Sequence, residues 1–212
     1  MRKKNVILLF LALSFILFYG CDVSVNRSIH VRDGERGGGL TSVNGSIQVG
    51  TRCRIEGDCQ TVNGSIQVGD ASLVRDLDTV NGRISLAANV VVDGNATTVN
   101  GSIVCGAGSK VHGRVTTVNG RIELKNSEVD DEVSTVNGDV LLLAKSLVRG
   151  DIVIKGSHGH LFDHSHIDIR ISEGSVVEGG ILVNDPDVEV KVYLSKDSTV
   201  KGKIKNAQVI RE

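Results

Sequence analysis

The residues of this 212-residue chain whose types and spacing could do chemistry are a cluster of histidines, a few cysteines and a recurring Thr-x-Asn triplet. His158, His160, His164 and His166 form two His-x-His pairs around Asp163. On an extended segment both members of a pair face one side, and imidazoles so placed can hold Zn, Cu or Ni. No cysteine or carboxylate completes a recognised ligand spacing, so these are weak metal candidates, and a solvated polar loop tip is the plainer reading. The triplets are Thr61/Asn63, Thr79/Asn81, Thr98/Asn100, Thr117/Asn119 and Thr135/Asn137, preceded by Ser42/Asn44. If the valine between the two members points inward, Thr and Asn point outward as a flat surface ladder. Such a ladder would stiffen the protein by side-chain hydrogen bonds, or present a regular surface to a repetitive ligand. No Ser/His pair, carboxylate pair or phosphate-binding loop is visible, and Asp130, Asp131 and Glu132 fall at a turn. No catalytic residue and no cofactor is expected.

The elements that must position these residues follow from an internal repeat, which overrides local signals. Val-Asn-Gly recurs with Asn at 44, 63, 81, 100, 119 and 137, at intervals of 19, 18, 19, 19 and 18. Three residues after each Asn stands Ile47, Ile66, Ile84, Ile103, Ile122 or Val140. Five after it stands Val49, Val68, Leu86, Cys105, Leu124 or Leu142. This alternation, in β-branched residues and Leu, describes strands with one face in a core and the other in water. A second motif, an aliphatic residue followed two positions on by Gly, appears at Ile55-Glu56-Gly57, Val92-Asp93-Gly94, Val111-His112-Gly113 and Val148-Arg149-Gly150. It returns at Val177-Glu178-Gly179 and Val200-Lys201-Gly202.

A unit this short cannot bury its own apolar face, but stacked units share a continuous core. The fold expected is therefore all-β: a single-stranded parallel β-helix, or β-solenoid, with 18–19-residue rungs. About nine rungs at about 4.8 Å give a rod of roughly 40–45 Å. Residues 41–154 read as the regular array. Residues 155–175, with the histidine cluster, read as a loop or hairpin leaving the stack. Residues 176–212 read as degenerate C-terminal rungs and a cap. Residues 21–40, with Gly37-Gly38-Gly39, read as a flexible tether. Cys59 and Cys105 occupy apolar slots of the repeat, where a cysteine acts as a small hydrophobe. Cys53 and Cys59 could pair in an oxidising compartment, but spacing does not establish it.

The N-terminus sets the compartment. Arg2, Lys3 and Lys4 precede an apolar run, Val6–Tyr19, of 14 residues. That is too short to cross a bilayer, which takes about 20, and it suits a signal-peptide core over residues 1–20. The run ends in Leu17-Phe18-Tyr19-Gly20-Cys21, which resembles the lipobox of bacterial lipoproteins, with Gly20 and Cys21 matching and Phe18 and Tyr19 departing. The resemblance implies that Cys21 is acylated, becomes the mature N-terminus and tethers the protein to a membrane of the cell envelope, facing the periplasm. An uncleaved signal anchor or cleavage elsewhere remain alternatives. Loss of 1–21 removes three basic residues and no acid, moving the net charge from −1 to −4. No basic patch remains to recruit nucleic acid. The mature chain keeps only Phe162 and Tyr193 as aromatics, too few for a conventional aromatic core or a base- or sugar-stacking surface.

The Gly-x-Ile and Val-x-Gly-x-Ile rungs resemble those of bactofilins, the polymer-forming bacterial cytoskeletal proteins, well over 41–154 and loosely over 176–205. The resemblance implies an aromatic-poor β-helix that joins end to end without nucleotide. Together these readings predict a non-enzymatic, membrane-anchored scaffolding lipoprotein, with further copies of itself or another envelope protein as partner. The alternative is an envelope binding module, using the Thr/Asn ladder or the histidine loop.

Overall fold

The computed structural model describes residues 22–156, 166–185 and 188–212. All regular structure among them is β-strand, wound into a solenoid of three parallel sheets with 10, 10 and 9 strands. Each turn gives one short strand to each sheet. In the first sheet Leu77 pairs with Ala96 of the next rung, in the second Ile84 with Ile103, and in the third Val92 with Val111. The alternation seen in the sequence becomes inward columns: Ile47, Ile66, Ile84, Ile103 and Ile122 stack fully buried, one rung above another. Val, Ile, Leu, Ala and Cys fill the narrow interior, where a triangle of short strands leaves little room for a ring.

Residues 22–39 are not a tether. Asp22–Ser24 pairs with Leu40–Ser42, Ile29–Val31 with Ile47–Val49, and Arg36–Gly37 with Arg54–Ile55. They form a complete first rung. Its sequence carries the repeat in disguise: Ser24-Val25-Asn26 copies Ser42-Val43-Asn44, and Ile29-His30-Val31 matches Ile47-Gln48-Val49, but Arg27 replaces the glycine. The glycine run serves close packing rather than flexibility, since a Cβ on Gly57 would lie 2.5 Å from the amide nitrogen of Gly39.

Of the segment 155–175 expected to leave the stack, residues 157–165 lie outside the described residues, and the described parts belong to the stack. Lys155 still donates its amide to the carbonyl of Thr135 (2.7 Å). His166–Ile171 is a strand of the second sheet, pairing with Val140–Leu142 on one side and Glu189–Leu194 on the other. Towards the C-terminus the rungs continue, and the cap expected within 176–212 is not found among the described residues. Thr199–Val200, Ile204–Lys205 and Gln208–Arg211 are themselves the last strands of the three sheets.

Each turn has three corners, two of which carry the recurring polar residues. At the first, the Asn-Gly glycines pack against the backbone of the rung before. A Cβ on Gly82 or Gly101 would lie 1.9 Å from the carbonyl oxygen of Gly64 or Gly82. The second corner turns through a left-handed residue, for instance Arg52 (φ 56°), Ala71 (φ 54°) and Asn89 (φ 56°). Buried hydroxyls stand at this corner in several rungs: Ser72, Ser109, Ser127, Ser146, Ser175 and Ser198.

Candidate functional site

The Thr-x-Asn triplets are in register, but not with both members outside. Thr61, Thr79, Thr98, Thr117 and Thr135 point inward and are at most 4% exposed. The intervening valines are half-buried on the outer surface. The corner at Asn-Gly resets the strand phase. Alternation counted back from Ile66 through the corner assigns Val62 to the core, whereas alternation within Cys59–Asn63 assigns it to the surface. Once inside, the threonine hydroxyls need acceptors, and they donate to corner carbonyls of the preceding rung. Thr61 reaches Gly45 (2.9 Å), Thr79 reaches Gly64 (2.9 Å), Thr98 reaches Gly82 (3.0 Å) and Thr117 reaches Gly101 (3.0 Å). Thr135 Oγ1 has no such partner.

The asparagines do form an outer ladder. Each side-chain amide donates to the Oδ1 of the rung before, from Asn44 on Asn26 (2.9 Å) through Asn63, Asn81 and Asn100 to Asn119 on Asn100 (2.9 Å). Asn26, outside the Asn-Gly pattern, starts the series. Asn137 keeps the backbone bridge to Asn119. The regular outer surface is thus an Asn column beside a column of half-buried Val43, Val62, Val80, Val99, Val118 and Val136.

Two further columns escaped sequence reading. In the second corner, serine hydroxyls cap the chain: the amides of Ser127, Ser146 and Ser175 reach Ser146 Oγ (3.3 Å), Ser175 Oγ (3.1 Å) and Ser198 Oγ (3.1 Å). On the third sheet, the residue after each inward aliphatic alternates between acidic and basic types along the rod: Glu56, Arg75, Asp93, His112, Asp130, Arg149, Glu178, Lys201. His112 Nδ1 lies 2.7 Å from Asp130 Oδ2, and Lys201 Nζ 2.7 Å from Glu178 Oε1. Arg149 reaches Asp130 (3.4 Å) and also contacts Glu128, to which Lys110 is bound at 3.3 Å. Burial lifts the Asp130 carboxyl, but His112, Lys110 and Arg149 outweigh it and hold it below the ordinary aspartate range. A run of Ser-x-Val followed by a charge, as in Ser109-Lys110-Val111-His112 and Ser146-Leu147-Val148-Arg149, was the signal available for both columns.

Asp78 is a carboxylate displaced upward from its ordinary range. Burial, then the nearby charges of Asp76 and Asp58, push its carboxyl up to about 6. Asp76 accepts from the backbone amide (2.8 Å) and side chain (3.0 Å) of Asn95. Among the described residues no group of three or more His, Cys, Asp or Glu is arranged to hold a metal ion. His158, His160 and His164 lie outside the described residues; His166 is in the stack and contacts Asp168 Oδ1 at 2.8 Å. Cys53, Cys59 and Cys105 are buried free thiols. Burial pushes Cys59 and Cys105 up to about 12, with Asp58 and Asp78 adding to the effect at Cys59, which suppresses the reactive thiolate. Cys53 Sγ donates to the carbonyl of Arg32 (3.0 Å). Cys21 lies outside the described residues, among which no helix is long and apolar enough to cross a membrane.

No protein-family model, curated protein or solved structure matches the chain.

Proposed function

We propose that this protein is a non-enzymatic structural rod of the bacterial envelope, anchored to a membrane by an acylated Cys21. It serves there as a scaffold onto which other envelope components, including further copies of itself, assemble through the solenoid ends. One observation carries the reading. The polar side chains that recur with the repeat, Asn, Thr, Ser and the alternating charges, bond to neighbouring rungs, while the strand edges at the last rung have no partner among the described residues. Side chains spent on holding a rod together suit a structural part, and unpaired strand edges are templates for further pairing. The leader, with its Gly20-Cys21 junction, supports the anchor and the envelope location.

Negative-stain electron microscopy with light scattering on the processed, unlipidated chain tests the scaffold. End-to-end oligomers support assembly through the ends, and short monomeric rods at all concentrations count against it. A second reading, a binding module, draws on the Val column beside the Asn ladder, an apolar stripe repeated at the rung spacing. Replacing Val80 and Val99 with Thr would then weaken capture of a repetitive envelope polymer without changing the fold.

A further inference from the structure

We propose that Asn137-Gly138 is a site of spontaneous succinimide formation, and that the asparagine ladder shields the other five Asn-Gly corners from the same reaction. An asparagine followed by glycine is prone to this ring closure because no Cβ hinders the glycine nitrogen. That nitrogen loses its proton and attacks the side-chain carbonyl carbon Cγ. The N–Cγ bond forms, the Cγ–Nδ2 bond breaks, and the amide takes up a proton and leaves as ammonia. Water, the only co-reactant, then opens the ring at either carbonyl. The products are aspartate and isoaspartate, the latter with the main chain rerouted through Cγ. The fold cannot escape this chemistry by changing the glycine, since a Cβ on Gly138 would lie 2.0 Å from the carbonyl oxygen of Gly120.

The corners differ in what must be undone before the ring can close. At Asn81 the side-chain amide donates to Asn63 (2.9 Å), Oδ1 accepts from Asn100 (2.9 Å), and the Gly82 amide donates to the carbonyl of Asn100 (3.1 Å). Asn100 is held in the same three ways, with the Gly101 amide on the carbonyl of Asn119 (3.0 Å). At Asn119 the side-chain amide and the Gly120 amide are both engaged. Asn44 and Asn63 are held at both ends of the side chain. Asn137 has none of these restraints: among the described residues neither its side chain nor the Gly138 amide has a hydrogen-bond partner, although its own backbone amide reaches the carbonyl of Val118 (2.8 Å). The ladder has to stop here. The register that pairs Thr135 with Ile154 brings Gly156, not an asparagine, over Asn137. Asn137 and Gly138 are only half-buried, so water reaches them. Reaction would place a new carboxylate, and in isoaspartate an extra main-chain methylene, at the junction between the Asn-Gly rungs and the less regular rungs that follow.

The test incubates the purified, folded chain at neutral pH and follows all six corners by peptide mapping and mass spectrometry, with aspartate and isoaspartate products separated by chromatography. Asn137 should convert first. Each hydrogen bond that must open slows closure about two- to tenfold, so Asn81 and Asn100 should be at least about tenfold slower. In urea the six corners should convert at comparable rates. Conversion of Asn137 no faster than Asn81 in the folded chain overturns the inference, as does the same order of rates persisting in urea, which would assign the difference to neighbouring sequence. Asn26→Ala then removes the acceptor of the Asn44 side-chain amide, on an exposed residue of the first rung. With the melting temperature unchanged, conversion at Asn44 should rise several-fold while Asn137 keeps its rate. An unchanged rate at Asn44 means that the ladder is not the shield, and overturns the inference by a separate route.

Discussion

The hydroxyl of Thr98 donates to the carbonyl oxygen of Gly82, 3.0 Å away, across the boundary between consecutive rungs. Thr98 is fully buried, and the valine beside it faces outward, so what looks like a polar surface residue is part of the interior.

Replacing Thr98 with Val keeps the shape but removes the donor. A lost buried hydrogen bond costs about 1–2 kcal/mol, and urea denaturation should show a loss of that size. Thr135 is equally buried with its hydroxyl unpartnered, so Thr135→Val should be neutral or stabilising. Equal losses at both positions would refute the role given to the cross-rung bond.

Gly101→Ala should be among the most damaging single changes. Its Cβ would meet the carbonyl of Gly82 at 1.9 Å, and that atom is backbone in a continuous sheet. Forcing the rungs apart costs about 3 kcal/mol or more. Arg27→Gly, at the equivalent corner with no rung beneath it among the described residues, should leave the melting temperature within a few degrees. The pair of melts, read by circular dichroism, checks the direction in which the corner side chains point.

Asp78 makes stability depend on pH in the less usual sense. Its carboxyl sits near 6 in the folded protein against 3.8 for the ordinary group. Between those values the folded state binds the extra proton, so this residue's contribution falls as pH rises from about 4 to 6, and the penalty then persists at neutral pH. Asp78→Asn should therefore stabilise the protein at pH 7, by a gain on the order of 2 kcal/mol, and do little at pH 4. Unfolding curves at the two pH values decide it; an equal effect at both would remove ionisation as the cause.

Cys105 should not react with a thiol reagent in the folded protein at pH 8, because burial holds its thiol near 12. The labelling rate should follow the unfolded population, rising steeply through the urea transition. Rapid labelling in the absence of urea would contradict its place in the core.

Much of this was legible in the chain because a β-solenoid repeats its chemistry at the interval of its geometry. The Asn-Gly spacing set the rung length, and Ile47-x-Val49 and its copies set the inward columns of the second sheet. Periodicity also located the asparagine ladder, since identical residues one rung apart must stack. The first rung stayed hidden because Arg27 breaks the Asn-Gly signature there.

Sequence by itself thus determined the strands, the parallel stacking and the small-aliphatic core, all of which depend on local alternation and on a fixed interval. Tertiary structure decided which way Thr98 and its equivalents face, because alternation does not carry through a corner whose turn consumes residues out of phase. It also decided that Glu56, Arg75 and Asp93 begin a column of alternating charge, and that Ser146 hands its amide to Ser175. Those relations join residues 18 to 29 positions apart. They exist only when cross-rung hydrogen bonds fix the register, because a shift of one residue would turn each of these side chains to the opposite face.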